Sequence, residues 1–120
     1  MKKVSLEAEN HRLAGVYYQT GNIELILENR NRVLRKGKKI TTDTVELMPE
    51  PNNIYDHNAI KVVVDGYHIG YIKSGNCSHV SQLIEDNRIH HLSATIYRGD
   101  DDDSGDPFYT VTLTIYLNAA

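Results

Sequence analysis

Apolar and polar positions fall into blocks along this chain, and each block predicts an element. Residues 12–18 read as a first strand ending in the adjacent rings of Tyr17 and Tyr18, and alternation assigns Tyr17 to the interior. A polar turn follows, with Asn22 as the N-cap of a helix. From 23 to 36 the apolar residues Ile23, Ile26, Leu27, Val33 and Leu34 recur at roughly helical spacing, and Gly37 supplies a stop. Arg35 and Lys36 then fall in the last turn, where the helix dipole favours cations. Residues 41–48 are β-branched and alternating, as a strand requires, and Pro49 and Pro51 end it because neither donates a ladder hydrogen bond.

The second half is more regular. Ile60, Val62 and Val64 share one face of a strand, with Lys61 and Val63 opposite. Asp65-Gly66 is a hairpin turn, since both positions tolerate positive φ, and 67–73 is the return strand. Residues 78–87 read as a short helix with Val80, Leu83 and Ile84 inward. In 91–97 Leu92, Ala94 and Ile96 share a face. In 108–117 Tyr109, Val111, Leu113, Ile115 and Leu117 do so, against Phe108, three threonines and Tyr116. The expected fold is mainly β with two helices (α+β). About six strands, each polar on one side, are well covered by a small antiparallel sheet curved into an OB-like barrel. A chain of 120 residues makes one domain, 1–120.

Composition changes the picture at a few points. There are eight Tyr, one Phe and no Trp, and tyrosine offers a stacking face with a polar tip, which suits a wet binding surface as well as a core. The single cysteine, Cys77, excludes an internal disulfide and a cysteine-based zinc site, and points to a reducing, cytoplasmic compartment. Lys2 and Lys3 have no apolar run behind them, so the start does not read as a signal peptide. No window has the length of a membrane span. The net charge of −3 argues against a generic nucleic-acid coat. The average hides an asymmetry: Arg30, Arg32, Arg35, Lys36, Lys38 and Lys39 crowd one segment, and Asp100 to Asp103 with Asp106 form an opposing block. A charge block is ordinarily a solvated face. Six cations in ten residues also make a potential that attracts phosphates.

Chemistry by covalent catalysis finds little support. No nucleophile elbow, carboxylate pair or glycine-rich phosphate loop precedes a helix. Six histidines invite a metal, but no H-x-x-x-H helical pair exists, and His90 and His91, as neighbours on a strand, point to opposite faces. Cys77, at a helix start, would have a lowered pKa if it were reactive, but no partner base stands beside it. No cofactor and no metal are expected, and the chain reads as non-enzymatic. Binding fits better. Tyr18 ends a strand, Tyr55 and Asp56 sit in a polar loop, and Tyr71 follows Gly70, whose missing side chain admits a ligand or another backbone. Rings at strand ends with cations nearby are the parts that hold single-stranded nucleic acid.

Residues 51–62, P-N-N-x-Y-D-x-N-A-I-x-V, with I-G-Y-I-K at 69–73, strongly resemble the HIRAN domain, found at the front of certain helicases and as free-standing bacterial and phage proteins. A weaker match covers A-G-V-Y-Y-Q-T-G at 14–21. The resemblance implies an OB-like barrel and, in helicase-borne members, a pocket for the free 3′ end of single-stranded DNA. Carried over by position, Tyr55 stacks on the terminal base, Asp56 accepts a hydrogen bond from the 3′-hydroxyl, and Tyr18 stacks on the same nucleotide or the next. Tyr71 takes a position near the backbone, Lys73 lies near a phosphate contact, and Phe108 or Tyr109 supplies a further ring. Arg32, Arg35 and Lys36 would add electrostatic attraction. Residues 22–44 read as a helix-containing basic insertion relative to the family. Any role in remodelling DNA would need a separate helicase or nuclease partner. The competing expectation keeps the barrel but makes it a protein-interaction or self-associating module, with no membrane contact in either case.

Overall fold

The computed structural model describes residues 6–119; Lys2 and Lys3 lie outside them. The elements run β1 (Glu7–Arg12), a 3-10 turn (Val16–Gln19), α1 (Thr20–Asn29), β2 (Lys39–Thr42), β3 (Val45–Pro49), β4 (Ile60–Val64), β5 (Tyr67–Tyr71), a second 3-10 turn (Ser74–Asn76), α2 (Cys77–Glu85), β6 (Ile89–Asp100) and β7 (Pro107–Leu117). The fold is mainly β with two helices, as the pattern of the chain implies. Hydrogen bonds group the strands into an antiparallel sheet ordered β1-β7-β6-β2 and a second ordered β3-β4-β5. One seam between the sheets is crossed by an isolated bridge instead of a full ladder. Leu13 N–H donates to Val111 O in β7, while Ala14 and Tyr71 exchange both backbone hydrogen bonds at 2.8 and 2.9 Å. At another point the chain itself passes from β2 into β3 through Asp43 and Thr44.

Both sheets and both helices cover one core. Alternation along β7 is clean: Tyr109, Val111, Leu113, Ile115 and Leu117 are buried. Ile60, Val62, Val64, Ile69, Ala94 and Ile96 meet them from the other strands, and Ile23, Ile26, Leu27, Val80 and Leu83 from the helices. Each fully buried Ile or Val contributes about 1.5–3 kcal/mol relative to exposure. Val63, expected on the outer face, is also buried; a register shift in the β4–β5 ladder between Val62 and Val63 breaks strict alternation there. The 22–44 segment is woven into the domain, since Ile23, Ile26, Leu27 and Leu34 belong to the common core.

Several expectations are corrected. The first strand lies earlier, and its expected end is the 3-10 turn, because Gly15 at φ +71° turns the chain out of the sheet. Tyr17 is therefore exposed alongside Tyr18. Helix α1 starts at Thr20, with Gln19 and not Asn22 at its N-cap; Asn22 instead donates to His68 O at 2.9 Å, tying α1 to β5. The helix ends at Asn29, well before Gly37. Asn31 adopts φ +53°, and its N–H and that of Arg32 close back onto Glu28 O and Leu27 O, a left-handed C-terminal cap. Arg32, Arg35 and Lys36 consequently sit on an exposed loop and not on a helix. The single strand expected over 41–48 is two, one in each sheet. In the second helix Ile84 remains partly exposed.

Candidate functional site

The loop joining β3 to β4 is built by its own side chains. Pro51 stands two residues beyond Pro49, the last residue of β3, and Glu50 N–H between them donates to Ala59 O across the loop at 2.9 Å. The Asn53 side-chain oxygen accepts from the backbone N–H groups of Tyr55 and Asp56 at 2.9 and 3.1 Å, an Asx turn that folds the loop tip. Asp56 repeats the device, its Oδ1 accepting from Asn58 N–H at 2.9 Å. His57 Nδ1–H donates to Pro51 O at 3.1 Å and closes the loop from the side. The Tyr55 ring at the tip of this loop is 92 % exposed.

Tyr55 and Asp56 face β5. They line a cleft of about 230 Å³ with Asn53, Ala59, Tyr71 and Ser74. Asp56 is half-buried, and its second oxygen, Oδ2, has no hydrogen-bond partner among the described residues. The carboxylate thus serves its own turn with one oxygen and leaves the other unpaired among the described residues. Its charge reaches Cys77 at the start of α2. Burial first, and that nearby charge second, push the Cys77 thiol up, so the lowered pKa considered for a reactive cysteine is not found. The thiol is buried and points at Ile72 O and Lys73 O.

Tyr71 forms the opposite wall. Its hydroxyl donates to Glu50 Oε1 at 2.8 Å, and the same oxygen accepts from Asn53 Nδ2–H at 3.2 Å. One carboxylate therefore ties the loop to β5, and Glu50 Oε2 lies 3.7 Å from Lys61 Nζ. The Tyr71 hydrogen bond is the main cause of a lowered Glu50 pKa; burial, followed by the Glu50 contact, raises that of Tyr71. The His68 ring packs edge-on to Tyr71 with centroids 4.7 Å apart. On the far side of the Asn53–Tyr71 wall a second cleft of about 430 Å³ is lined by Pro49, Glu50, Pro51 and Asn52. Glu50 was not singled out from sequence; an acid just before the proline turn was the available signal.

Gly70 admits a backbone and not a ligand. A Cβ there would stand 3.0 Å from Ala14 O and 3.2 Å from both Leu13 Cβ and Val16 Cγ2. That close crossing docks the Val16–Gln19 turn on β5, with Tyr17 and Tyr18 projecting into solvent, 80 % and 83 % exposed and edge-to-face at 5.6 Å.

The expected site residues are thus only partly gathered. Tyr55, Asp56 and Tyr71 share one cleft, and Lys73 is exposed between its lining residues Ile72 and Ser74. Tyr18 does not line it. Phe108 belongs to a different cleft with Tyr17, while Tyr109 beside it is buried. Arg32 lines a shallow basic groove with Arg30 and Lys39; Arg35 and Lys36 are exposed on the turn before β2.

The histidines also depart from expectation. A register shift between Ile89 and His91 brings the rings of His90 and His91 together, Nδ1 to Nδ1 at 2.7 Å, instead of onto opposite faces. Glu9 lies within 3.0 Å of both His11 and His79 and joins β1 to α2 by hydrogen bonds. Among the described residues no helix is long and apolar enough to cross a membrane.

Comparison with known proteins adds a family and a fold. The HIRAN domain family matches residues 10–119. No curated protein matches the sequence. The crystal structure of the HIRAN domain of human HLTF superimposes with a TM-score of 0.51 at 19 % identity, covering 92 % of this chain and 76 % of that one. A protein from Lactobacillus plantarum gives 0.49 at 22 % identity, covering 93 % and 98 %. At such identities the likeness to HLTF is one of fold.

Proposed function

This chain belongs to the HIRAN domain family, and from that membership we propose that it is a non-enzymatic module that binds single-stranded DNA and takes a free 3′ end into the Tyr55–Asp56–Tyr71 cleft. The observation that carries the reading is the pairing of an open aromatic face with a half-used carboxylate in one cleft. A terminal base stacks on Tyr55, which is worth about 1–3 kcal/mol for each stacked base. Asp56 Oδ2 accepts a hydrogen bond from the 3′-hydroxyl. Where the strand continues, that hydroxyl is replaced by a phosphodiester, and two negative groups meet in a half-buried place, so the carboxylate selects an end by repelling a continuation.

The other residues support this arrangement. Lys73 stands beside the cleft for the preceding phosphate, and Tyr18 offers a second ring from the Val16–Gln19 turn. Arg32, Arg35 and Lys36 act at longer range through the potential of the basic loop. Phe108 has no part in the proposed cleft. Titrating a labelled single-stranded oligonucleotide at two salt concentrations tests the reading: affinity falls as salt rises, with a slope of about −0.7 for each phosphate neutralised. No binding at low salt overturns it.

A further inference from the structure

The fold carries the two charge blocks to the same end of the four-stranded sheet. Gly37 N–H donates to Arg98 O at 2.8 Å and Arg98 N–H to Lys38 O at 3.0 Å, so the basic turn runs beside the last residues of β6. Strand β6 then leads straight into the acidic turn at Asp100. Within the molecule the blocks hardly engage each other. Among the described residues the ion pairs that involve them are Arg30–Asp65 and Arg98–Asp100. Arg32, Arg35, Lys36, Lys38 and Lys39 on one side, and Asp102, Asp103 and Asp106 on the other, make none.

Against the acidic turn lies a cleft of about 630 Å³, between the Val16–Gln19 turn and the β6–β7 hairpin, lined by Tyr17, Thr20, Asp101, Asp106, Pro107 and Phe108. The Phe108 ring lies over Gly99, its register partner, where a Cβ would fall 2.2 Å from the ring's Cζ. A glycine thus gives the ring a seat, and it stays 42 % exposed. The Asp106 carboxylate has no hydrogen-bond partner among the described residues, its backbone N–H taking Ser104 Oγ instead. Open aromatic faces beside carboxylates suit a cation on an apolar stem, which is the chemistry of a lysine or arginine side chain. A phosphate would be repelled.

We propose that this cleft docks the 30–39 segment of a second copy of this chain, in a two-fold symmetric dimer. Charge complementarity selects the occupant: the chain itself displays an unpaired basic segment, with Val33 82 % exposed among its cations to meet the rings. Adjacency selects the symmetry. Opposite patches side by side on one surface are matched twice when a two-fold axis passes between them. The inference is independent of the DNA reading, and its test contains no nucleic acid.

Sedimentation equilibrium of the full chain measures it. In low salt the protein is a dimer, and raising the salt to 0.5 M weakens association by about tenfold or more, because exposed charges are screened at that strength. Asp106→Lys alone, and the double change Arg32→Glu with Arg35→Glu alone, are each monomeric. An equimolar mixture of the two dimerises again, since the heterodimer then holds one reversed and one native contact, both complementary. Phe108→Ala weakens the dimer without a change of charge. A wild-type monomer in low salt, a dimer indifferent to both reversals, or a mixture that stays monomeric overturns the proposal. Recovery in the mixture also excludes misfolding as the reason for the single-variant losses.

Discussion

At the scale of single residues, exposure separates Tyr55, the ring proposed to stack on a base, from positions that hold the fold. Tyr55 touches little, so Tyr55→Ala leaves no cavity and alters unfolding stability by no more than about 0.5 kcal/mol. The same change removes the stacking face and weakens single-strand binding by about 1–3 kcal/mol. Denaturant titration and oligonucleotide titration read the two effects separately. Gly70 behaves in the opposite way. Any side chain there presses on Ala14 O, a backbone atom that cannot rotate aside, and on the side chains of Leu13 and Val16. Gly70→Ala therefore destabilises the protein by about 1–3 kcal/mol, seen as a lower denaturant midpoint. Sequence alone marks Gly70 as a point of close approach. What approaches it is a distant segment, and no local pattern carries that information. The loop that carries Tyr55 and Asp56 was legible because its chemistry is local: proline, Asx residues and an aromatic tip within a few positions. Glu50, the partner of Tyr71, was not, because that bond joins the β3–β4 loop to β5 across 21 positions of the sequence.

Elements were legible where the period was clean and long. The alternation of β7 survives intact in the fold, as does the Asp65-Gly66 turn, in which both residues take positive φ. Helix α1 was over-extended because Val33 and Leu34 continue its apparent spacing; Asn31 in a left-handed conformation ends it instead, and Val33 turns to solvent. The end of that helix is fixed by a tertiary contact. Arg30, at the helix C-cap, donates two hydrogen bonds to Asp65, each 2.6 Å, and reaches Thr42 and Thr44 as well. It therefore joins α1, β2 and the β4–β5 turn. Arg30→Ala destabilises by about 1–2 kcal/mol, the charge-assisted bonds being discounted for partial exposure. The Arg30 hydrogen bond is the main cause of an Asp65 pKa held below its ordinary value. A depressed folded-state pKa means that the stabilisation is complete above the unfolded value, about 3.9, and is lost as pH falls through the folded one. Acid unfolding curves should thus separate wild type from Arg30→Ala above pH of about 4 and bring them together below it. Curves that stay equally far apart in strong acid would contradict the assignment.

For the molecule as a whole, two sheets joined at Leu13-Ala14 by a bridge hold three distinct surfaces: the Tyr55–Asp56–Tyr71 cleft, the basic loop and the acidic aromatic cleft. The charge blocks were visible in the sequence, but their adjacency was not, since it depends on β2 pairing with β6 and not continuing into β3. The family and the mainly β architecture were legible from one dense motif and the strand periods. The central claim is that Asp56 recognises a terminus. Its most direct test is a panel of single-stranded oligonucleotides identical except at the 3′ end, carrying a hydroxyl, a phosphate or a closed hairpin. Losing a hydrogen bond to a charged acceptor costs about 1.5–3 kcal/mol, so the free hydroxyl is expected to bind roughly ten- to a hundredfold more tightly than the blocked ends. In Asp56→Asn, which keeps the acceptor for Asn58 N–H, that preference should collapse. Equal affinity for all three ends in the wild-type protein would contradict the account.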